Sequence, residues 1–174
     1  MECVKVGRYT YGKLNVKTFG NPNELLTIGD FCSIASSVTF LLGGEHKYKG
    51  LSTYPFKVKI CGYEYEADTK GPIIVEDDVW IGTRSTILSG VKVGKGAIIA
   101  AGSTIYKDIP PYAIYGNNKI IKYRFDEQTR KKLMLVDFSK LDDSDIREYI
   151  DLVYKDINDE FFSTTLFNKI KKNS

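Results

Sequence analysis

Read from Val75, the apolar positions of the chain recur every six residues. The blocks VEDDVW, IGTRST, ILSGVK, VGKGAI, IAAGST and IYKDIP open on Val75, Ile81, Ile87, Val93, Ile99 and Ile105, all of them β-branched aliphatics. Their fifth positions, Val79, Ser85, Val91, Ala97, Ser103 and Ile109, are small or aliphatic. A period of six matches neither the 3.6 of a helix nor the alternation of a strand. It suits a chain that turns a corner after every block, so that three blocks close one triangular coil. The branched residue of each block then points inward and stacks on its equivalents above and below. The small fifth residue fits where the coil narrows, and Gly82 and Gly94 are expected to ease the turns. IGDFCS from Ile28 and IASSVT from Ile34 continue the pattern, and VGRYTY from Val6 resembles another block. Each coil buries its core only against its neighbours, so the ends of such a solenoid need capping.

Between the two repeat runs, from about residue 40 to 71, the period is lost. A loop of this length is uncommon in a compact domain, and this one is rich in aromatics: Phe40, Tyr48, Tyr54, Phe56, Tyr63 and Tyr65. It is expected to be an ordered excursion from the solenoid. Pro110-Pro111 cannot continue a strand ladder and is expected to end the repeats. Helical signals follow. Asp126 is a candidate N-cap for EQTRKKLMLV. Ser144 is one for a segment placing Ile146, Ile150, Val153 and Ile157 on one face. The expected organisation is a solenoid domain over 1–117 and a helical segment over 118–174 lying on the last coil, where it would cover an open edge.

Charge narrows the function. The 25 basic and 22 acidic residues leave a net +3, which provides no electrostatic footprint for nucleic acid. No stretch reaches the ~20 apolar residues of a membrane helix, and MECVKVGRYTYG lacks an apolar signal core, so a cytoplasmic chain is expected. Cys3, Cys32 and Cys61 have neither disulfide nor zinc spacing, and Cys32 reads as a buried small hydrophobe. The single histidine, His46, excludes a three-histidine zinc centre. No metal is expected to be required. One imidazole is nevertheless sufficient as a general base for a hydroxyl nucleophile.

The stretches VGRYTYG (6–12), IGDFCSIASSVTFLLGGEHKYKGLSTYPF (28–56), DDVWIGTRSTILSGVKVGKGAIIAAGSTIYKDIPPYAIYGN (77–117) and KYRFDE (122–127) resemble the xenobiotic acetyltransferase branch of the hexapeptide-repeat acyltransferases. That branch includes streptogramin A and hexapeptide-type chloramphenicol acetyltransferases and related sugar O-acetyltransferases. The G-x-H motif followed by STYPF is its most specific part. The resemblance implies a mainly β fold, a left-handed parallel β-helix with an excursion loop and C-terminal helices. It also implies a homotrimer with sites between subunits, acetyl-CoA as co-substrate and, as acceptor, a hydroxyl of a small molecule, an antibiotic or a sugar or polysaccharide unit. His46 takes the role of catalytic base. Trp80, Thr83, Ala101, Lys107, Lys119 and Lys122 fall at cofactor positions, and Tyr9, Tyr11, Tyr54 and Phe56 at acceptor positions. The chain departs from relatives at Gly116-Asn117-Asn118-Lys119, which replaces a G-N-P-A-K motif, and at Tyr106, commonly a threonine. Transfer to an amino sugar nitrogen, and a non-catalytic β-helix scaffold, are the alternative readings.

Overall fold

The computed structural model describes residues 3–172, which divide into two compact units, one up to Arg124 and one from Phe125 onward. The first unit begins with β1 (Val4–Val6), β2 (Asn15–Lys17), β3 (Leu26–Ile28), β4 (Ser33–Ile34) and β5 (Thr39–Leu41). After the excursion, which carries α1 (Phe56–Lys59), come β6 (Ile73–Val75), β7 (Trp80–Ile81), β8 (Thr86–Leu88), β9 (Lys92–Val93), β10 (Ile98–Ile99) and β11 (Thr104–Ile105). β12 (Ala113–Gly116) and β13 (Lys119–Tyr123) close the unit. Successive strands enter three different sheets, β1-β3-β6-β9, β4-β7-β10-β12-β13 and β2-β5-β8-β11. Among the described strands, pairing is parallel between coils and antiparallel in the terminal β12–β13 hairpin. The result is a triangular parallel β-helix, as the six-residue period requires.

Register follows the repeat. Val75, Ile81 and Ile87 pair with Val93, Ile99 and Ile105, eighteen positions on in each case. The opening residues Ile28, Ile34, Phe40, Val75, Ile81, Ile87, Val93, Ile99 and Ile105 are all buried, as are the fifth-position residues from Cys32 to Ile109. Burial pushes the Cys32 thiol up to about 11, the behaviour of a packed hydrophobe rather than a reactive thiol. Each fully buried aliphatic stabilises the fold by roughly 1.5–3 kcal/mol, and the column runs from Ile28 to Ile105, whereas Val6, which opens the first block, is exposed.

The structure corrects four expectations. Phe40 belongs to the core opposite Ile87, so the excursion leaves after Leu41 and returns at Ile73. Pro110-Pro111 forms a corner instead of an end. Neither proline can donate to the ladder, so Ile109 takes the pairing position against Val93, two residues early, and β12 adds a further strand beyond it. Gly82 serves a different purpose from turning. A Cβ there would lie 2.6 Å from the backbone N of Ala101 in the next coil, so glycine is needed for close approach. The corners themselves carry left-handed residues at Asp78, Arg84, Gly90, Gly96 and Gly102, again six apart. Finally, Ser144 does not cap its helix.

That helix lies in the second unit, which contains α2 (Glu127–Leu133), α3 (Asp143–Glu148), α4 (Ile150–Tyr154) and α5 (Thr165–Ile170) around buried Leu133, Val136, Leu141, Phe161, Leu166, Phe167 and Ile170. Asp126 caps α2 through Thr129 N, as its position predicts. Asp142 caps α3 in a reciprocal box with Asp145, and the Ser144 hydroxyl donates to the capping carboxylate. Tyr149, with non-helical φ −108°, separates α3 from α4. The expected single apolar face is thereby split, leaving Ile150 and Val153 exposed.

Two stability predictions follow from the prism. Gly96 and Gly102 occupy equivalent left-handed corners, and alanine at either adds about 1 kcal/mol of backbone cost. Only at Gly96 would the new Cβ meet a ring, that of Tyr112 at 2.4 Å. Gly96→Ala should therefore unfold at a clearly lower denaturant midpoint than Gly102→Ala, and equal midpoints would mean that Tyr112 moves aside freely. Tyr115, inward-facing opposite Ile99, buries a hydroxyl that has no hydrogen-bond partner among the described residues. Tyr115→Phe should raise stability by about 1 kcal/mol in a urea titration; a loss would mean a bound water satisfies the hydroxyl.

Candidate active site

The excursion leaves the prism at the corner between β5 and β6, through Gly43 and Gly44. A Cβ on Gly43 would sit 2.6 Å from a Glu24 carboxylate oxygen. Gly44 has φ +96°, and a Cβ there would lie 2.9 Å from the Phe19 ring. Only glycine passes both. Beyond them the outgoing and returning chains pair antiparallel, with Glu45 N donating to Asp68 O at 3.1 Å and Asp68 N to Glu45 O at 2.9 Å. The Thr69 hydroxyl donates to Leu42 O and closes the stem at its base.

His46 is the first residue beyond this stem, and it is exposed. Its Nδ1 lies 2.6 Å from the Thr53 carbonyl oxygen. A carbonyl only accepts, so Nδ1 is the donor of this bond, and in the neutral ring Nε2 is then the nitrogen with the lone pair. The Thr53 segment is itself braced, because Tyr54 N donates to the Ser52 hydroxyl at 3.0 Å. α1 is tied to the returning chain by Lys57 N, which donates to Glu66 at 3.0 Å. His46 opens onto a cavity of about 310 Å³ whose walls include Phe19, Tyr54, Tyr65, Glu64 and Lys59. It also borders a shallower hollow of about 670 Å³ carrying Lys47, Tyr48, Lys49 and Lys70. Among the described residues, no group of three or more His, Cys, Asp or Glu could hold a metal ion.

A second set of predicted residues lies on other parts of the prism. Trp80 projects outward from β7 and is half-exposed. Thr83 turns the corner between β7 and β8, its hydroxyl donating to Ser36 O at 2.7 Å. Ala101 stacks beneath it at the corner between β10 and β11, where Gly102 N donates to Thr83 O at 2.8 Å. Ser36, Thr83 and Ala101 thus form one outward column. Lys107 is exposed after β11, with its ammonium 5.8 Å from the Tyr106 ring. Lys119 and Lys122 lie on β13, both exposed.

Comparison with known proteins gives this arrangement its family. Residues 72–107 match the family described as bacterial transferase hexapeptide (six repeats). The chain is 37% identical over 158 residues to a probable macrolide acetyltransferase from Lysinibacillus sphaericus, covering 86% of each chain. It is 36% identical to a chloramphenicol acetyltransferase from Klebsiella aerogenes, over 72% of this chain and 70% of that one. The chain belongs to the hexapeptide-repeat acetyltransferases. Among solved structures, it resembles a hexapeptide-repeat acetyltransferase from Vibrio cholerae complexed with acetyl coenzyme A (27% identity, TM-score 0.56). A maltose O-acetyltransferase from Clostridium difficile is also similar (28% identity, TM-score 0.52). The chain aligns over 72% and 71% of its own length with these two, and spans 62% and 60% of theirs.

Within this acetyltransferase chain the predicted residues fall into separate groups. Tyr54 lines the His46 cavity, and Phe56 packs on it edge-to-face with centroids 5.0 Å apart. Tyr9 and Tyr11 line neither hollow beside His46. They belong to the first coil, Tyr9 stacked on Phe31 at 5.2 Å and Tyr11 exposed beside Ser33. The Asn117-Asn118 departure is a two-residue hairpin turn with φ +51° and +60°, a conformation closed to proline. Sequence reasoning missed Phe19, Tyr65 and Glu64 as cavity walls and Thr53 as the histidine's partner, since none carries a spacing signal. Because a Cβ on Gly44 would meet the Phe19 ring that walls the His46 cavity, Gly44→Ala should lower turnover by about tenfold or more through displacement of that wall and of the adjoining stem, measured as release of CoA thiol beside the thermal midpoint. Unchanged turnover would show that the stem tolerates the shift.

Proposed function

We propose that this chain transfers an acetyl group from acetyl-CoA to a hydroxyl of a small-molecule acceptor, with His46 as general base. The observation carrying this reading is the bond from His46 Nδ1 to the Thr53 carbonyl, which leaves Nε2 as the basic nitrogen beside an aromatic-walled cavity. The acceptor hydroxyl donates its proton to Nε2 as its oxygen attacks the thioester carbonyl. The tetrahedral intermediate collapses with cleavage of the carbon–sulfur bond, and the imidazolium returns the proton to the departing CoA sulfur. Backbone N–H groups stabilise the oxyanion.

Acetyl-CoA runs beside the Thr83–Ala101 column, with Trp80 towards the acetyl end and Lys107 along the path. Lys119 and Lys122 face its phosphates, which require cations. This column lies on a different edge of the prism from the His46 corner. That separation supports a homotrimer in which His46 of one subunit works beside the cofactor edge of the next, with Tyr9 and Tyr11 of a neighbour reaching the acceptor.

The acceptor is an antibiotic of the kind that names the relatives, a macrolide or chloramphenicol, in preference to an amine. Glu45, the carboxylate adjacent to the base in sequence, is engaged by Ser89 and Lys70 and so is not free to hold an ammonium. Phe19, Tyr54 and Tyr65 suit a largely apolar scaffold bearing a hydroxyl. No described helix is long and apolar enough to cross a membrane, consistent with work in the cytoplasm, where acetyl-CoA is available.

His46→Ala should reduce turnover about 10²–10⁴-fold while leaving acetyl-CoA affinity intact, checked by thiol release with a macrolide and with chloramphenicol and by calorimetric titration of acetyl-CoA. Near-wild-type turnover in the variant would remove His46 from the base role, and absence of acetyl-CoA binding to the wild type would favour the scaffold reading.

A further inference from the structure

His46 is preceded by a carboxylate with an unusual set of partners. Glu45 borders both hollows beside His46, and its side chain reaches back to the prism. One oxygen accepts from the Ser89 hydroxyl at 3.2 Å, and the other lies 3.4 Å from the Lys70 ammonium. Ser89 follows β8, one coil beyond the strand from which the excursion departs, and is buried at 4% exposure. Its hydroxyl also accepts from Lys70 N at 3.3 Å. Two residues distant in sequence thus converge on the residue next to the base.

Stability alone does not account for this arrangement. The stem is already held by its paired backbone and by the Thr69–Leu42 bond. The ion pair is solvated, with 66% of the Lys70 side chain and 32% of that of Glu45 exposed, and such pairs contribute little. What the carboxylate adds is orientation. The backbone pairing ties residue 45 to the returning chain, and the bond to buried Ser89 ties its side chain to the next coil of the prism, while Thr53 restrains the imidazole beyond it.

We infer that Glu45 is a positioning residue, clamping the excursion stem to Ser89 of the prism so that His46 Nε2 is held at a fixed place. The inference rests on His46 being the base. Its effect is on the reacting geometry and not on cofactor binding, and displacement of a catalytic group by about 1 Å can reduce rate 10²-fold.

The test compares Glu45→Ala, Glu45→Gln, Ser89→Ala and His46→Ala in steady-state thiol release, with thermal midpoints recorded for each. Glu45→Ala should lower kcat about ten- to hundredfold with the KM for acetyl-CoA within about twofold. Glu45→Gln keeps an oxygen for the Ser89 hydroxyl and should restore most of the loss. Ser89→Ala removes only the donor and should lower kcat in the same direction, which keeps the test decisive if Glu45→Ala folds poorly. A Glu45→Ala kcat within twofold of wild type, or equal losses in Glu45→Ala and Glu45→Gln, would overturn the clamp. If those results came with an inactive His46→Ala, the clamp alone would fail; an active His46→Ala would instead remove the base assignment on which it rests.

Discussion

Everything in the first unit depends on one packing requirement: a coil of this size cannot bury its own interior. Three short strands enclose a triangular cross-section barely wide enough for one branched side chain from each face, so the apolar surface of Ile81, Ile87 or Val93 is removed from water only when a further coil is laid above and below. This is why the inward positions are so uniform, and why the parallel ladders run along the prism instead of around it. It also leaves no interior room for chemistry. Whatever the chain binds must lie on its faces and corners.

The site follows from that restriction. A corner is the place where a solenoid can release its chain without breaking a ladder, and the excursion leaves and returns at the one between β5 and β6, so that Ile28, Ile34 and Phe40 still stack on Val75, Ile81 and Ile87. The released segment is then built up in order: glycines to pass Glu24 and Phe19, a short paired stem, a carboxylate tied back to Ser89, and a histidine held at Nδ1 by Thr53. Rigidity comes from the prism and is transmitted along these bonds, which is how an exposed histidine can have a defined geometry.

Sequence reading reached the parts of this that leave a mark on residue identity. The β-branched column is legible because only its chemistry satisfies the stacking, and His46 is legible because it is the only histidine in the chain. The excursion's existence was also plain from the lost period. Less was visible where backbone decides. Thr53 acts through a carbonyl that any residue would supply, and the last coil is shortened because Pro110 and Pro111 cannot donate to a ladder, a fact that moves the register to Ile109 without altering the apparent blocks. Gly82 shows the same limit from another side, since a glycine required for close approach looks identical in sequence to one required for a turn. Ser89 lies forty-four positions from Glu45, and no local pattern connects them.

The central claim is that the fold presents His46 with Nδ1 protonated and Nε2 open. Because the chain contains one histidine, a nitrogen-15 NMR spectrum of histidine-labelled protein reports on it without overlap. With the ring neutral, the account predicts a protonated, pyrrole-type Nδ1 and an unprotonated, pyridine-type Nε2. The reverse assignment, with the proton on Nε2, would contradict it, for the nitrogen facing Thr53 would then have nothing to donate and Nε2 no lone pair with which to take a proton.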